Sequence, residues 1–408
     1  MSKILIVGLN FHPELISTGK YNGELAVYLA GQGHQVRVIT TPPYYPHWQV
    51  RLGYSWWQYR HEIWQGMDVY RCPLWVPHKP SGLKRLIHLF SYALSSFPVI
   101  LLQALRYKPD IILCVIPTLF SAPFALLAAW LSKAKAWLHI QDFELDAAFN
   151  LGMLPGRKFI YPLARWYERS ILKGFDHVST ISENMRLLCI EKGVKPECAF
   201  LLPNWVDTKK IHPLPGPSPL RAELNIPTQT FVALYHGNMG RKQGLELLLE
   251  TARLLESRPE ILFVLCGEGP AKKGLLESAA SFPNVRFLDL QLEEKLNDLV
   301  NLADVHLLPQ LSNAADLVMP SKLGTMLASG KPVVAGANPG TQISQMLDTI
   351  GMLVQPENAT ALAESLIVLY ENLSERLRLG ILGRAYACQH LDKEIILSRL
   401  HASLAAEK

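Results

Sequence analysis

The sequence is sparing with charge. Asp, Glu, Lys and Arg make up 18% of its 408 residues, against roughly 25% in an average soluble domain. Its six cysteines (Cys72, Cys114, Cys189, Cys198, Cys266 and Cys388) form no CxxC pair and no Cys/His cluster. That argues against a disulfide framework or a zinc site and for reduced, buried thiols. No GxGxxG follows the first apolar run, which disfavours a nicotinamide dehydrogenase. No GxxxxGK(S/T) occurs, so there is no P-loop. No nucleic-acid reading motif is found either. The start, Met1-Ser-Lys-Ile-Leu-Ile-Val, lacks the apolar region and cleavage site of a secretory signal. A cytoplasmic protein is expected. Tryptophan is missing from the second half: all nine lie between Trp48 and Trp205.

What is present is apolar. Hydrophobic residues reach 49% with a mean hydropathy of +0.12, ample for large cores. The length suits two domains. Residues 1–204 carry a net charge of +8 and residues 205–408 carry −3. A basic, aromatic-rich first half suits a membrane surface or a nucleic acid, and the missing reading motif speaks against the second.

Short β-branched runs alternate with helical spacing along both halves. Ile4–Leu9, Val36–Thr40, Ile111–Ile116, Ala136–Ile140, Val178–Ile181 and Phe200–Leu202 read as buried strands of a parallel sheet. A helix is expected over Tyr21–Gln32. Prolines at 203, 213, 215, 217 and 219 exclude a helix or central strand there. A second alternation follows, with strands at Phe231–Tyr235, Ile261–Cys266, Val285–Phe287, Val305–Leu308 and Pro332–Ala335, and a helix at Leu245–Ser257. The expected architecture is α/β, two Rossmann-like doubly wound domains facing across a cleft. Residues 1–203 form the first, 204–220 a Pro-rich linker and 221–387 the second. Residues 388–408 form a terminal helix. Ile111–Leu131 is long enough to span a bilayer, but Pro117 and Pro123 favour a strand and a buried helix. Lys84–Tyr107 has basic ends and an apolar middle broken by Pro98. It reads either as two core helices or as an interfacial helix with Phe90, Tyr92 and Phe97 in the lipid boundary.

Five segments carry candidate chemistry. Gly237-Asn238-Met239-Gly240-Arg241-Lys242-Gln243-Gly244 joins a strand to a helix; glycines and two cations there suit a diphosphate. Gly267-Glu268-Gly269-Pro270 ends the next strand, where Gly-x-Gly lets a ligand pass over the backbone. Pro320-Ser321-Lys322 marks a helix start, and Lys322 in a first turn makes sense beside a bound anion. His139-Ile-Gln-Asp142-Phe-Glu144-Leu-Asp146 places three acids at the end of a first-domain strand; carboxylates there orient or deprotonate a hydroxyl, or cap the next helix. Residues 42–80 read as an aromatic loop, with Tyr44 and Trp48 able to face a sugar or simply fill a core.

The Gly loop opening the second domain, the GxGP turn and Ser329-Gly-Lys-Pro-Val-Val resemble glycosyltransferase family 4 of the GT-B fold over nearly the whole chain. Gly8-Leu-Asn-Phe-His-Pro-Glu-Leu, Ser17-Thr-Gly-Lys-Tyr, Pro42-Pro-Tyr-Tyr-Pro, His139-Ile-Gln-Asp, Pro203-Asn-Trp, Gly244-Leu-Glu and Met319-Pro-Ser-Lys-Leu are similar to its colanic-acid fucosyltransferase subgroup. The resemblance implies a retaining, metal-independent transferase with no cofactor. It implies a GDP-sugar donor, GDP-fucose, and a lipid-linked (undecaprenyl-pyrophosphate) sugar acceptor at the inner face of the cytoplasmic membrane. Donor contacts fall on Gly19, Gly237, Asn238, Arg241, Gly244, Gly267, Gly269, Leu292, Asp316 and Ser321. Catalytic roles fall on Asp142, Lys242 and Lys322, and acceptor contacts on His139, Glu144, Tyr44 and Trp48. Domain closure about Pro203–Pro219 would exclude water, and the terminal helix would cross back onto the first domain.

The chain departs from the broad family at Asn238 and Gln243, and Leu317 and Thr325 stand where the family has a pair of Glu. The absent pair leaves a rival open, a catalytically silent nucleotide-sugar-binding partner in polysaccharide assembly. A transferase using a UDP-sugar, an epimerase and a phosphorylase are further alternatives.

Overall fold

The computed structural model describes residues 1–14, 17–79, 81–117, 119–143, 157–240, 243–312 and 320–406. The chain divides into two compact units, Met1–Pro203 with Leu397–Lys408, and Asn204–Ile396.

The first unit holds an eight-stranded sheet in the order β3-β4-β2-β1-β5-β6-β7-β8. The strands are β1 (Lys3–Gly8), β2 (Gln35–Thr40), β3 (Arg60–Trp64), β4 (Met67–Arg71), β5 (Ile111–Ile116), β6 (Lys135–Ile140), β7 (His177–Thr180) and β8 (Ala199–Leu201). All pairs are parallel except β3 with β4. β5 is buried at every position, as a strand covered on both faces must be. Residues 42–80, expected to be loop, contain the β3–β4 hairpin. Its turn residues Gln65 and Gly66 both have positive φ, as a two-residue type I′ connection requires.

Helix α1 (Ser17–Gly31) returns the chain from β1 to β2, and α2 (Gly82–Arg106) carries it from β4 to β5. Helix α3 (Ala122–Ser132) and the helix Arg157–Gly174 make the next two crossovers. The last three move the chain in one direction along the sheet, so right-handed connections put them on one face of it. Lys84–Arg106 lies within one continuous helix, not two, with Pro98 inside it and Tyr107 as its C-cap. Tyr92, expected at a lipid boundary, is fully buried, and its hydroxyl donates to the Gly8 and Ile39 carbonyls.

The second unit has six parallel strands ordered β11-β10-β9-β12-β13-β14. These are β9 (Phe231–His236), β10 (Ile261–Cys266), β11 (Val285–Leu288), β12 (Val305–Leu308), β13 (Val333–Gly336) and β14 (Met352–Val354). Residues 204–220 pack into this unit. Arg384 donates to the carbonyls of Thr208, Ile211 and Ala328, and Val206 exchanges backbone bonds with Leu391 and Lys393. The terminal helix runs over Lys393–Ala406.

Candidate functional site

The second unit sews its first two strand ends together by backbone. β9 leads into Gly237 and β10 into Gly267. The Gly237 amide donates to the Cys266 carbonyl at 2.9 Å, and the Met239 amide to the Glu268 carbonyl at 2.8 Å. Gly237, Gly267 and Gly269 all have positive φ. A Cβ on Gly267 would overlap the Gly237 carbonyl, and one on Gly269 would lie 2.5 Å from the Met239 carbonyl oxygen. The side of the Gly-x-Gly where a Cβ would project is therefore filled by the neighbouring loop of the same unit. The two glycines bring Gly237 and Asn238 into register with the β10 edge.

Lys322 stands beside this junction. It opens the helix Lys322–Ala328, which is anchored by Leu323, Met326 and Leu327 in the apolar core around Val333 and Ile343. A Cβ on Gly237 would sit 3.4 Å from Lys322 Cδ, an ordinary contact, so it is the φ of 125° that calls for glycine beside the lysine. Its ammonium lies 3.8 Å from the Tyr235 ring centroid, close enough for a cation–π contact. It is buried and has no hydrogen-bond partner among the described residues. Burial lowers its pKa to about 7. An unpaired buried cation is costly, and its expected remedy is an anion.

Two rings that feel its charge, His236 and His306, also hold a buried Nδ1 without a hydrogen-bond partner among the described residues. Burial first, then the Lys322 charge, pushes His236 down to about 3, so the ring is neutral. Tyr235 and His236 were not foreseen; both sit at the end of a strand whose letters read only as core. The Tyr235 hydroxyl donates to the Asn238 carbonyl at 2.6 Å, which fixes the turn. Gly244 has φ 61°, against the Leu311 side chain. Ser321 precedes the lysine helix without a side-chain capping bond. Leu292 is exposed at the start of a short 3-10 turn. Arg241, Lys242 and Asp316 lie outside the described residues, as does Glu144.

The first unit gathers different groups. Glu14, not singled out from the sequence, is buried at the β1 edge. It accepts from the Tyr44 and Tyr45 amides at 2.7 and 2.8 Å and from Asn10 Nδ2 at 2.8 Å. Burial raises its pKa against these bonds. Gly19 lies in the first turn of α1, not a loop, and a Cβ there would sit 2.8 Å from the Glu14 carbonyl oxygen. Tyr44 is buried, its hydroxyl 3.0 Å from His88 Nε2, with Trp48 packed edge-on against it. Tyr44 therefore braces the loop and is not presented to a sugar. Trp48 is half-buried with the Arg85 guanidinium 5.3 Å from its ring.

His139 is likewise a core residue and not an acceptor contact. It is buried, with Nδ1 2.9 Å from Ser179 Oγ and Nε2 2.8 Å from Gln141 Nε2. A neutral ring donating from Nδ1 and accepting at Nε2 satisfies both, and burial lowers its pKa to about 4. Asp142 follows β6 and stays half-buried. With Phe143 and Glu168 it lines a cavity of about 10 Å³, room for one water and far too small for a sugar.

Two Rossmann-type α/β units, the first sheet parallel except for β3 and the second parallel throughout, with a buried cation beside glycine turns in the second, fit the GT-B class of transferase. Comparison with known proteins agrees. Residues 18–205 match the Glycosyl transferase 4-like domain and residues 230–372 match Glycosyl transferases group 1. The chain is 42% identical, over 97% of its length and 98% of the relative's, to a protein of Escherichia coli (strain K12) whose name assigns it to colanic acid biosynthesis as the glycosyl transferase WcaI. It is 28% identical over 70% of its length to the Pseudomonas aeruginosa protein named as the glycosyltransferase WbjE, 72% of which is covered. Among solved structures, sucrose-phosphate synthase from Thermosynechococcus elongatus superposes with a TM-score of 0.75 at 19% identity, over all of both chains. The glycosyltransferase WaaG superposes at 0.65 and 16%, over 96% of this chain and 98% of its own. The chain belongs to the glycosyl transferase 4-like, group 1 family and is a glycosyltransferase.

Proposed function

We propose that the enzyme transfers fucose from GDP-fucose, with retention of configuration, to a lipid-linked sugar pyrophosphate during assembly of a colanic-acid-like exopolysaccharide. The observation that carries the reading is the buried, unpartnered Lys322 ammonium beside Gly237. The diphosphate of a nucleotide-sugar is the complement such a group lacks. As the glycosidic bond breaks, charge grows on the departing phosphate, and a preplaced cation in a dry site stabilises that charge without reorganising. The acceptor hydroxyl forms the new bond on the face the phosphate leaves, and its proton passes to the phosphate oxygen. Arg241 and Lys242 add charge in the same loop of the sequence. Lys322 and that loop meet the donor's charge without a metal ion. Asp142 orients the acceptor hydroxyl. The donor base and sugar rest on the subgroup resemblance and on the relative's name, and an undecaprenyl-pyrophosphate acceptor would be met at the inner face of the cytoplasmic membrane.

The test is thermal stability with GDP, UDP, ADP and NAD in parallel. A ligand at 100 times its Kd adds about 2.7 kcal/mol. Stabilisation by GDP alone, followed by fucose transfer from GDP-fucose to a lipid-linked acceptor in a mass assay, supports the reading. Stabilisation by UDP alone replaces the donor. A nucleotide shift without transfer from any donor leaves the silent-partner reading, and no shift with any nucleotide overturns the donor site itself.

A further inference from the structure

One face of the first unit is apolar where it meets solvent. Along α2 the outward residues Leu83, Ile87, Phe90, Leu94 and Leu105 are all about half exposed or more. Leu83 to Leu94 are spaced by three and four, and the exposed Pro98 and Leu102 carry the same steps on to Leu105, which makes one continuous stripe. On the same face of the sheet, α3 exposes Trp130 and the Arg157–Gly174 helix exposes Leu163 and Trp166, each 65% or more. Contiguous exposed apolar surface on this scale marks an interaction site.

The charge on these helices has one sign. α2 contains Lys84, Arg85 and Arg106 and no acid, and α3 contains no charge. The Arg157–Gly174 helix holds five Lys or Arg and one acid, Glu168. That acid is buried against Lys192 at 2.5 Å. The apolar stripe is therefore rimmed by cations with no exposed carboxylate on the three helices. An anionic, apolar partner fits this pattern, and a phospholipid bilayer is both.

α2 is long and apolar enough to cross a membrane, but its inner side is committed. Tyr92 is bonded to Gly8 and Ile39, His88 to Trp75 and Tyr44, and Gln103 to Arg37. Insertion as a span would strip all of these. The helix can offer only its outer half.

We propose that α2, α3 and the Arg157–Gly174 helix form a monotopic docking face that lies on the surface of an anionic bilayer. Leu83, Ile87, Phe90 and Leu94 enter the headgroup–acyl boundary, with Trp130 and Trp166 beside them. This deepens the lipid-linked acceptor reading, but its test uses vesicles that contain no acceptor and no donor, so the two fail separately.

The experiment is flotation of the full-length protein with phosphatidylglycerol vesicles and with phosphatidylcholine vesicles. Binding to the anionic vesicles at least tenfold above the neutral ones is expected. Phe90→Glu with Leu94→Glu should lower it at least tenfold, whereas Ile381→Glu, equally exposed in the second unit, should not. The melting temperature reports whether the double variant is folded. If it is not, quenching of wild-type tryptophan fluorescence by brominated phosphatidylglycerol, reduced by Trp130→Phe, decides the point. Absence of vesicle binding overturns the proposal, as does binding that the double variant retains. A concentration-dependent dimer abolished by the same substitutions, without vesicle binding, also overturns it and assigns the face to a second copy.

Discussion

The Lys322 ammonium lies 3.8 Å from the centroid of the Tyr235 ring and has no hydrogen-bond partner among the described residues. The π-face returns only a fraction of what the charge loses by leaving water. The free protein thus holds a cation at a thermodynamic disadvantage, which an anion would remove.

The sign of the pH dependence follows. Burial lowers the folded pKa from 10.5 to about 7. Between those values the unfolded chain binds the extra proton, so this group's contribution to stability is greatest above pH 10.5. It falls as pH drops and levels off below 7, a total of about 5 kcal/mol. Lys322→Met keeps the chain length and removes the charge. It should raise the melting temperature of the free protein at pH 6 and abolish the shift produced by nucleoside diphosphate. In the unsubstituted protein, diphosphate affinity should weaken as pH rises above 7, because the ligand then has to recruit a proton to the lysine. Calorimetric titration in two buffers of different ionisation enthalpy would register that proton uptake.

The glycines of the second unit divide by what surrounds them. A Cβ on Gly267 meets the Gly237 carbonyl, whereas one on Gly274, inside the helix Lys272–Ser278, meets nothing within 4 Å. Gly267→Ala should cost about 3 kcal/mol, through the overlap and the positive φ together. Gly274→Ala should stabilise by about 0.5–1 kcal/mol, since alanine loses less freedom in a helix. Urea unfolding of both variants checks the contrast.

The strand ladder was legible because buried parallel strands are written as unbroken β-branched runs: Ile111–Ile116, Ile261–Cys266 and Val305–Leu308 carry the same bounds in letters and in space. The β3–β4 hairpin was hidden because β3 is an exposed edge strand, Arg-His-Glu-Ile-Trp, with no apolar run to announce it. Lys322 stood out in the letters from its odd place in a first turn. Tyr235, which holds it, did not, since an aromatic residue at a strand end looks like any core residue. His139 misled for the opposite reason. Beside Asp142 it resembles an acceptor contact, and only its partners Ser179, far off in sequence, and Gln141 show that its nitrogens are already engaged.

Glu14 offers a test within the first unit. It holds three donors from two segments, and Glu14→Ala would leave the Tyr44 and Tyr45 amides and the Asn10 amide without it. Orphaned buried donors cost about 1–3 kcal/mol. Hydrogen exchange at Tyr44 and Tyr45 should accelerate by one to two orders of magnitude. Burial raises the Glu14 pKa, so this group's contribution to stability is greatest below pH 4.5, where it is the neutral acid in both states, and is lost as pH rises through the folded value and the buried carboxylate forms. Glu14→Gln should remove that pH dependence while keeping the bonds to the two tyrosine amides. An exchange rate in Glu14→Ala equal to that of the unsubstituted protein would mean other groups hold the loop.

Asp142 and His139 sit three residues apart on one strand end, yet their substitutions should separate. His139→Leu leaves the Gln141 amide and Ser179 hydroxyl without their partner in a buried site, so it should lower stability by about 1–3 kcal/mol. Transfer by the folded fraction should be unaffected. Asp142→Asn preserves shape and removes charge from a half-buried position with no large cavity around it. Stability should barely change, whereas transfer turnover should fall about 10²-fold, the lower end of what a positioned carboxylate contributes. The nucleotide-induced melting shift should survive in both variants, because the donor residues belong to the other unit. Melting curves and initial rates on the same preparations distinguish the two. Loss of turnover in His139→Leu at full folding would return that histidine to the chemistry, and unaltered turnover in Asp142→Asn would remove the aspartate from it.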